Sequence, residues 1–153
     1  MSVAASHQSE PARILVADDN PQGAELIADY LDDTGWSVRV VGDGDETLKA
    51  VREWKPDVLL LDIMMPKLSG FEVCKRLRSD PVTRDLPVLM ITALDQPSDV
   101  DRAVDAGTND FLTKPIHKVD LVLRVRALLE SRRHSTEVDR TIDYLESVAQ
   151  GGA

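Results

Sequence analysis

Val58-Leu59-Leu60-Leu61-Asp62-Ile63-Met64-Met65-Pro66 decides the fold. An apolar run without a polar break enters a carboxylate, and a loop closed by proline follows. A strand with one wet face would alternate apolar and polar residues; continuous apolarity over so short a run marks a strand covered on both faces, as parallel strands of α/β folds are. Three more runs have the same form: Arg13-Ile14-Leu15-Val16-Ala17 enters Asp18-Asp19, Val88-Leu89-Met90-Ile91 enters Thr92, and Phe111-Leu112-Thr113 enters Lys114-Pro115. As parallel strands of one sheet they bring three carboxylates, a hydroxyl and an ammonium to its carboxyl edge, where open α/β sheets place their sites.

Helical spacing fills the intervals. Residues 21–33 carry Leu26, Ile27, Tyr30 and Leu31, with Gly35 as the stop; residues 38–41 form a short second strand; residues 43–54 carry Leu48, Val51 and Trp54 before Pro56. The loop 63–70 leads into a third helix through Phe71, Val73, Cys74 and Leu77, ending near Asp80-Pro81, and the fourth strand spans 87–92. Residues 98–106 read as a short polar helix with Val100, Ala103 and Val104 on one side, a weak apolar face expected of a mobile element. After the strand at 110–113, Val119, Leu121, Val122, Val125, Leu128 and Leu129 mark a strongly amphipathic fifth helix. Five strand and helix pairs predict a doubly wound sheet.

Composition bounds the function. The 153 residues suffice for one domain with a real core, and no apolar stretch approaches the roughly 20 residues that span a bilayer. The expected division is a disordered segment over 1–11, one domain over 12–130 and a helical extension or tail over 131–153. Residues 1–11 lack the apolar region of a signal peptide or anchor, so a cytoplasmic protein with no membrane partner is expected. A net charge of −9, without a basic cluster on any one element, argues against direct nucleic acid binding. The single Cys74 reads as a buried small hydrophobe, and His7, His117 and His134 as scattered surface residues without metal-ligand spacing. In the tail, Val138, Ile142, Leu145 and Val148 or Ala149 recur at spacings of three and four. It admits two readings: a continuation that folds against the domain or frays, and a helix for dimerisation or partner binding.

Three carboxylates at adjacent strand ends repel one another and stay ionised only beside a cation or a basic group. Mg2+ suits them, because it takes one or two carboxylates, keeps waters and leaves room for a phosphate. Asp62 would then be the nucleophile of a phosphoryl transfer, with Lys114 and the metal offsetting charge and Thr92 donating a hydrogen bond. Each residue also has a bland reading. Asp19 or Asn20 would cap the helix that Pro21 begins, Thr92 would close a turn, and Lys114 would be a solvated charge. Capping does not explain all of them together.

Taken in order, these residues resemble the receiver domain of two-component response regulators. Asp18-Asp19 looks like the family's acidic pair, Asp62 like its phosphoacceptor, Thr92-Ala93 like its switch hydroxyl, and Lys114-Pro115 like its lysine and cis proline. The resemblance covers roughly residues 13–129, including Gly70 and the Ala106-Gly107 turn. It implies a flavodoxin-like five-stranded sheet of order 2-1-3-4-5 and a phosphorylation switch. A histidine kinase or histidine phosphotransfer protein would donate a phosphoryl group to Asp62. Asp19, Asp62 and the Met64 carbonyl would bind Mg2+, with Asp18 holding a metal water. Thr92 and Phe111 would be the moving parts, and the face formed by the fourth helix, fifth strand and fifth helix would carry the signal to an output protein or to a second copy. Met64 and Leu94, two residues after Asp62 and Thr92, would border the route of attacking water and slow phosphoryl loss.

The resemblance makes the chain a signalling module, not an enzyme beyond its own phosphotransfer and dephosphorylation. The runner-up is a receiver regulating an enzymatic output domain such as a diguanylate cyclase. A metal-dependent phosphatase or nucleotide-binding enzyme on the same architecture is disfavoured, since the chain has neither a Walker loop nor GxGxxG.

Overall fold

The computed structural model describes residues 10–94, 96–132, 134 and 136–151. Most of the 1–11 segment, including His7, lies outside them. Strands and helices alternate: β1 (Arg13–Ala17), α1 (Pro21–Leu31), β2 (Ser37–Val41), α2 (Gly44–Trp54), β3 (Val58–Leu61), α3 (Gly70–Ser79), β4 (Val88–Thr92), α4 (Pro97–Ala106), β5 (Asp110–Thr113) and α5 (Lys118–Ser131). A further helix, α6 (Glu137–Gly151), lies within the stretch read as the tail. The five strands pair in parallel in the order β2-β1-β3-β4-β5, the doubly wound arrangement expected.

The uninterrupted apolar runs have a simple cause. Successive side chains of a strand point to opposite faces, and helices cover both. Leu15, Leu59, Leu61, Val88 and Met90 pack with α2, α3 and Ala103 and Ala106 of α4. Their neighbours Ile14, Val16, Val58, Leu60, Leu89 and Ile91 pack with α1 and α5. Edge strand β2 is covered less, and Arg39 and Val40 are exposed. Cys74 is fully buried, as its helical company requires.

The first three helices start at the polar residue before each run. The Asn20 carboxamide accepts the Gln22 N–H at 3.0 Å and the Gly23 N–H at 3.3 Å, Asp43 accepts from Glu46 at 2.8 Å, and Ser69 from Glu72 at 3.2 Å. Asn20 therefore performs the capping that the sequence left open between it and Asp19.

Three expectations are corrected. The fifth helix is not a simple amphipathic element: Leu121, Val125 and Leu128 face the sheet, while Ala127 and Ser131 are also buried and the Gly151 backbone of α6 lies against Leu123. Its apolar residues spread round the helix because it packs on two sides. On α4 the buried residues are Ala103 and Ala106, whereas Val100 and Val104 are exposed. Small residues let this helix sit close to the sheet, leaving the larger valines outside. His134 is half-buried, not on the open surface, because α6 packs against it: its Nε2 is 3.5 Å from Asp143 Oδ2, and its carbonyl accepts from Arg140 at 3.0 Å.

Candidate functional site

Three of the four strand pairs extend their ladders by one bond past the strand end, and those bonds set the site. The Asp18 N–H donates to the Val41 carbonyl at 3.1 Å, the Asp62 N–H to Ala17 at 2.8 Å, and the Lys114 N–H to Thr92 at 2.8 Å. Backbone pairing, rather than side-chain packing, thus aligns the residues that leave β1, β3 and β5.

Asp18 and Asp62 are buried, Asp19 is exposed, and the three carboxylates bring oxygens within 4.8 Å of one another. The Lys114 ammonium stands 3.2 Å from Asp18 Oδ2 and 3.2 Å from Asp62 Oδ2. Asp62 Oδ1 accepts the Met64 N–H at 3.1 Å, and Asp18 Oδ1 accepts the Asn20 N–H at 2.9 Å. Burial pushes the Asp62 carboxyl above its ordinary range and neighbouring Asp18 adds to this; the Met64 N–H and Lys114 oppose it. Burial works against the Lys114 charge, but the Asp62 and Asp18 carboxylates outweigh it and raise its affinity for the proton. Lys114 is not a solvated charge; it is the counter-ion of the cluster.

Thr92 is fully buried at the end of β4, and its hydroxyl oxygen is 3.4 Å from the Leu94 N–H, a long contact that leaves the hydroxyl free to turn. Phe111 lies beside Met90 in the sheet and packs, half-buried, into the cluster on the α3 and α4 side. Met64 is 61% exposed and Leu94 is half-buried. The Lys114–Pro115 bond is cis, as the resemblance implies.

Two glycines complete the geometry, and sequence reading gave them no such role. A Cβ on Gly70 would stand 2.5 Å from the Asp62 carbonyl oxygen and 2.7 Å from Ile63 Cα, so α3 starts directly against the backbone carrying Asp62. A Cβ on Gly23 would lie 2.8 Å from Asp18 Oδ2. A glycine early in α1, two residues after Pro21, was the available signal: it weakens the helix unless something must approach closely. The third residue missed is Arg78, whose guanidinium donates to the carbonyls of Gly107, Arg84 and Leu86 at 2.8, 2.9 and 2.6 Å and to Asn109 Oδ1 at 2.9 Å. Nothing in its local sequence separates it from a solvated arginine.

The donor set is all oxygen and acidic, with a lysine at one side and open solvent at Asp19. That chemistry fits a hard divalent cation such as Mg2+, and the arrangement can hold phosphoryl oxygens between cation, ammonium and hydroxyl.

Comparison with known proteins agrees with the geometry. A family model described as response regulator receiver domain matches residues 14–126. The chain is similar to the DNA-binding dual master transcriptional regulator RpaA of Synechocystis sp., at 40% identity over 139 residues, covering 91% of this chain and 56% of that protein. It is similar to the response regulator PleD of Caulobacter vibrioides, at 44% over 117 residues, covering 76% of this chain and 26% of that protein. Among solved structures it resembles a putative response regulator from Chloroflexus aurantiacus, with a TM-score of 0.76, 36% identity, and coverage of 79% of this chain and 99% of that one. The chain spans about half the length of RpaA and a quarter of PleD. The name of the first relative does not fit the expectation that nucleic acid is no partner, although it belongs to a longer protein. Among the described residues, no helix is long and apolar enough to cross a membrane.

Proposed function

We propose, for a chain that belongs to the response regulator receiver domain family, that Asp62 accepts a phosphoryl group from a phosphohistidine of a kinase or phosphotransfer protein and that the α4-β5-α5 face reports it. The observation that carries this reading is the Lys114 ammonium shared at 3.2 Å between Asp18 and Asp62, with Asp19 beside them.

An Asp62 carboxylate oxygen attacks phosphorus; the new O–P bond forms as the donor's N–P bond breaks, and the electron pair stays on the imidazole nitrogen, which takes up a proton. Lys114 balances charge on the moving phosphoryl oxygens, and the Thr92 hydroxyl turns to donate to one of them. Asp18, Asp19, Asp62 and the Met64 carbonyl would hold Mg2+, which when bound offsets phosphoryl charge as a Lewis acid. Movement of Thr92 leaves room that Phe111 fills, and a local charge change becomes a change of surface. Later attack by water at phosphorus breaks the O–P bond and returns the carboxylate and inorganic phosphate. Met64 and Leu94 slow that step by offering water no polar partner.

In this reading the chain is a cytoplasmic signalling module whose only chemistry is its own phosphotransfer and hydrolysis, and its partners are a histidine kinase or phosphotransfer protein and an output protein or a second copy. The greater length of the relatives favours a second reading of the output, in which the receiver controls a further domain. Incubation with acetyl phosphate and Mg2+ tests the site by intact mass. One phosphoryl group is expected, lost in Asp62→Asn and in EDTA; an addition that survives Asp62→Asn places the acceptor elsewhere. Sedimentation of the same samples separates self-association from docking on another protein.

A further inference from the structure

α6 packs along α5, its last residue Gly151 against Leu123, and reaches β5 at Asp110, so it lies over part of the face just assigned to output. Its Tyr144 ring is buried in the cluster on the α1 and α5 side, and the Tyr144 hydroxyl donates to the Asp110 carboxylate at the start of β5. Asp110 also pairs with Arg124 of α5, which pairs with Asp120. Arg140 reaches Asp85, ahead of β4, at 3.1 Å. Tyr144 is its one buried residue; Val148 packs on the same cluster and Gly151 on Leu123, while Val138, Ile142 and Leu145 are exposed. A helix this short is marginal in water by itself, so its place depends on its contacts with α5 and β5. Elements so attached belong to the low-stability end of a fold.

The same strand reaches the site. Asp110 and Phe111 are consecutive on β5 and belong to opposite faces, Asp110 bonded to Tyr144 and Phe111 packed toward α3 and α4. The Phe111 N–H donates to Asp110 Oδ1 at 2.8 Å, and Lys114 follows at the end of the strand. A shift of the β5 backbone at Phe111 therefore acts on the carboxylate that anchors α6.

We infer that residues 137–151 are a displaceable occupant of the α5 and β5 docking surface, and that phosphorylation of Asp62 releases them by shifting Asp110 away from Tyr144. This rests on the reading of Asp62 as the phosphoacceptor. Release uncovers the outer side of α5 around Leu123, Ala127 and Ser131 and frees α6 to carry a signal of its own. Burial and the adjacent Asp110 carboxylate push the Tyr144 phenol far above its ordinary range, so the anchor is a neutral donor throughout the physiological range.

Hydrogen exchange on the whole chain, with intact mass on the same samples, tests it. Acetyl phosphate with Mg2+ is expected to speed exchange of residues 137–151 about tenfold, the response to a tenfold rise in the open population. Asp62→Asn abolishes the response. Tyr144→Phe, which keeps the ring and removes only the donor, is expected to show fast α6 exchange without phosphate while still accepting one phosphoryl group. A full mass gain with unchanged exchange of 137–151 overturns the release mechanism alone. No mass gain overturns the phosphoacceptor reading and the coupling with it, and Tyr144→Phe with wild-type exchange removes Tyr144 as the anchor.

Discussion

Lys114 Nζ is equidistant, at 3.2 Å, from one carboxylate oxygen of Asp62 and one of Asp18, and both carboxylates are buried. One cation thus neutralises two strand ends that would otherwise repel. Lys114→Gln leaves a polar side chain one atom shorter and deletes that charge. The expected cost in metal-free buffer is about 1–3 kcal/mol, below that of a fully buried pair because the lysine is partly exposed. Mg2+ should then raise the melting temperature of the variant more than that of the wild type, since the carboxylates lack their internal counter-ion. Equal Mg2+ responses of variant and wild type, each read against an EDTA control, would sink the assignment of these carboxylates to the cation.

Gly70→Ala places a methyl group against the Asp62 carbonyl and Ile63 Cα, both backbone atoms that cannot swing aside. Overpacking of this kind costs about 1–3 kcal/mol. Because the displaced backbone carries Asp62, phosphoryl uptake from acetyl phosphate should slow along with the loss of stability. A variant with wild-type uptake and urea midpoint contradicts the close approach.

Arg78→Ala removes four donors at once from the loops before β4 and β5. Loss of a charged donor network of this size should cost about 3 kcal/mol or more, read as a lower urea midpoint. Arg78→Lys should recover little, because an ammonium cannot copy the planar fork.

Tyr144 predicts an alkaline signature. Its folded-state pKa is raised above the ordinary 10.0, by burial first and by Asp110 next, with Arg124 opposing. The unfolded chain therefore releases the proton at lower pH than the folded one. The contribution of the neutral phenol is fully present below pH 10.0 and is lost as the pH climbs beyond it. Tyrosinate absorbance in a base titration should show one of the two tyrosines ionising only as α6 detaches. That late step should vanish in Tyr144→Phe; its persistence would assign it to Tyr30.

The strands and the pocket were legible because their signals are local. An uninterrupted run such as 58–61 states that both faces of its strand are covered, and the polar residue at its exit follows from chain order. Asn20, Asp43 and Ser69 announced helix starts by their own side-chain chemistry. Val100, Val104 and His134 were misread for the opposite reason: their burial depends on which distant element lies opposite. The double burial of α5 was hidden for the same cause, since α6 supplies its second covered side.

The sequence by itself determined a five-stranded α/β domain with Asp18, Asp19, Asp62, Thr92 and Lys114 at one edge, because periodicity and strand exits are properties of consecutive residues. Tertiary structure alone decided that Lys114 divides itself between two carboxylates, that Gly70 and Gly23 are required by close approach, and that the tail folds back to anchor Tyr144 on Asp110. These are contacts between residues up to 96 positions apart, fixed by sheet order and helix packing, and no local pattern encodes them.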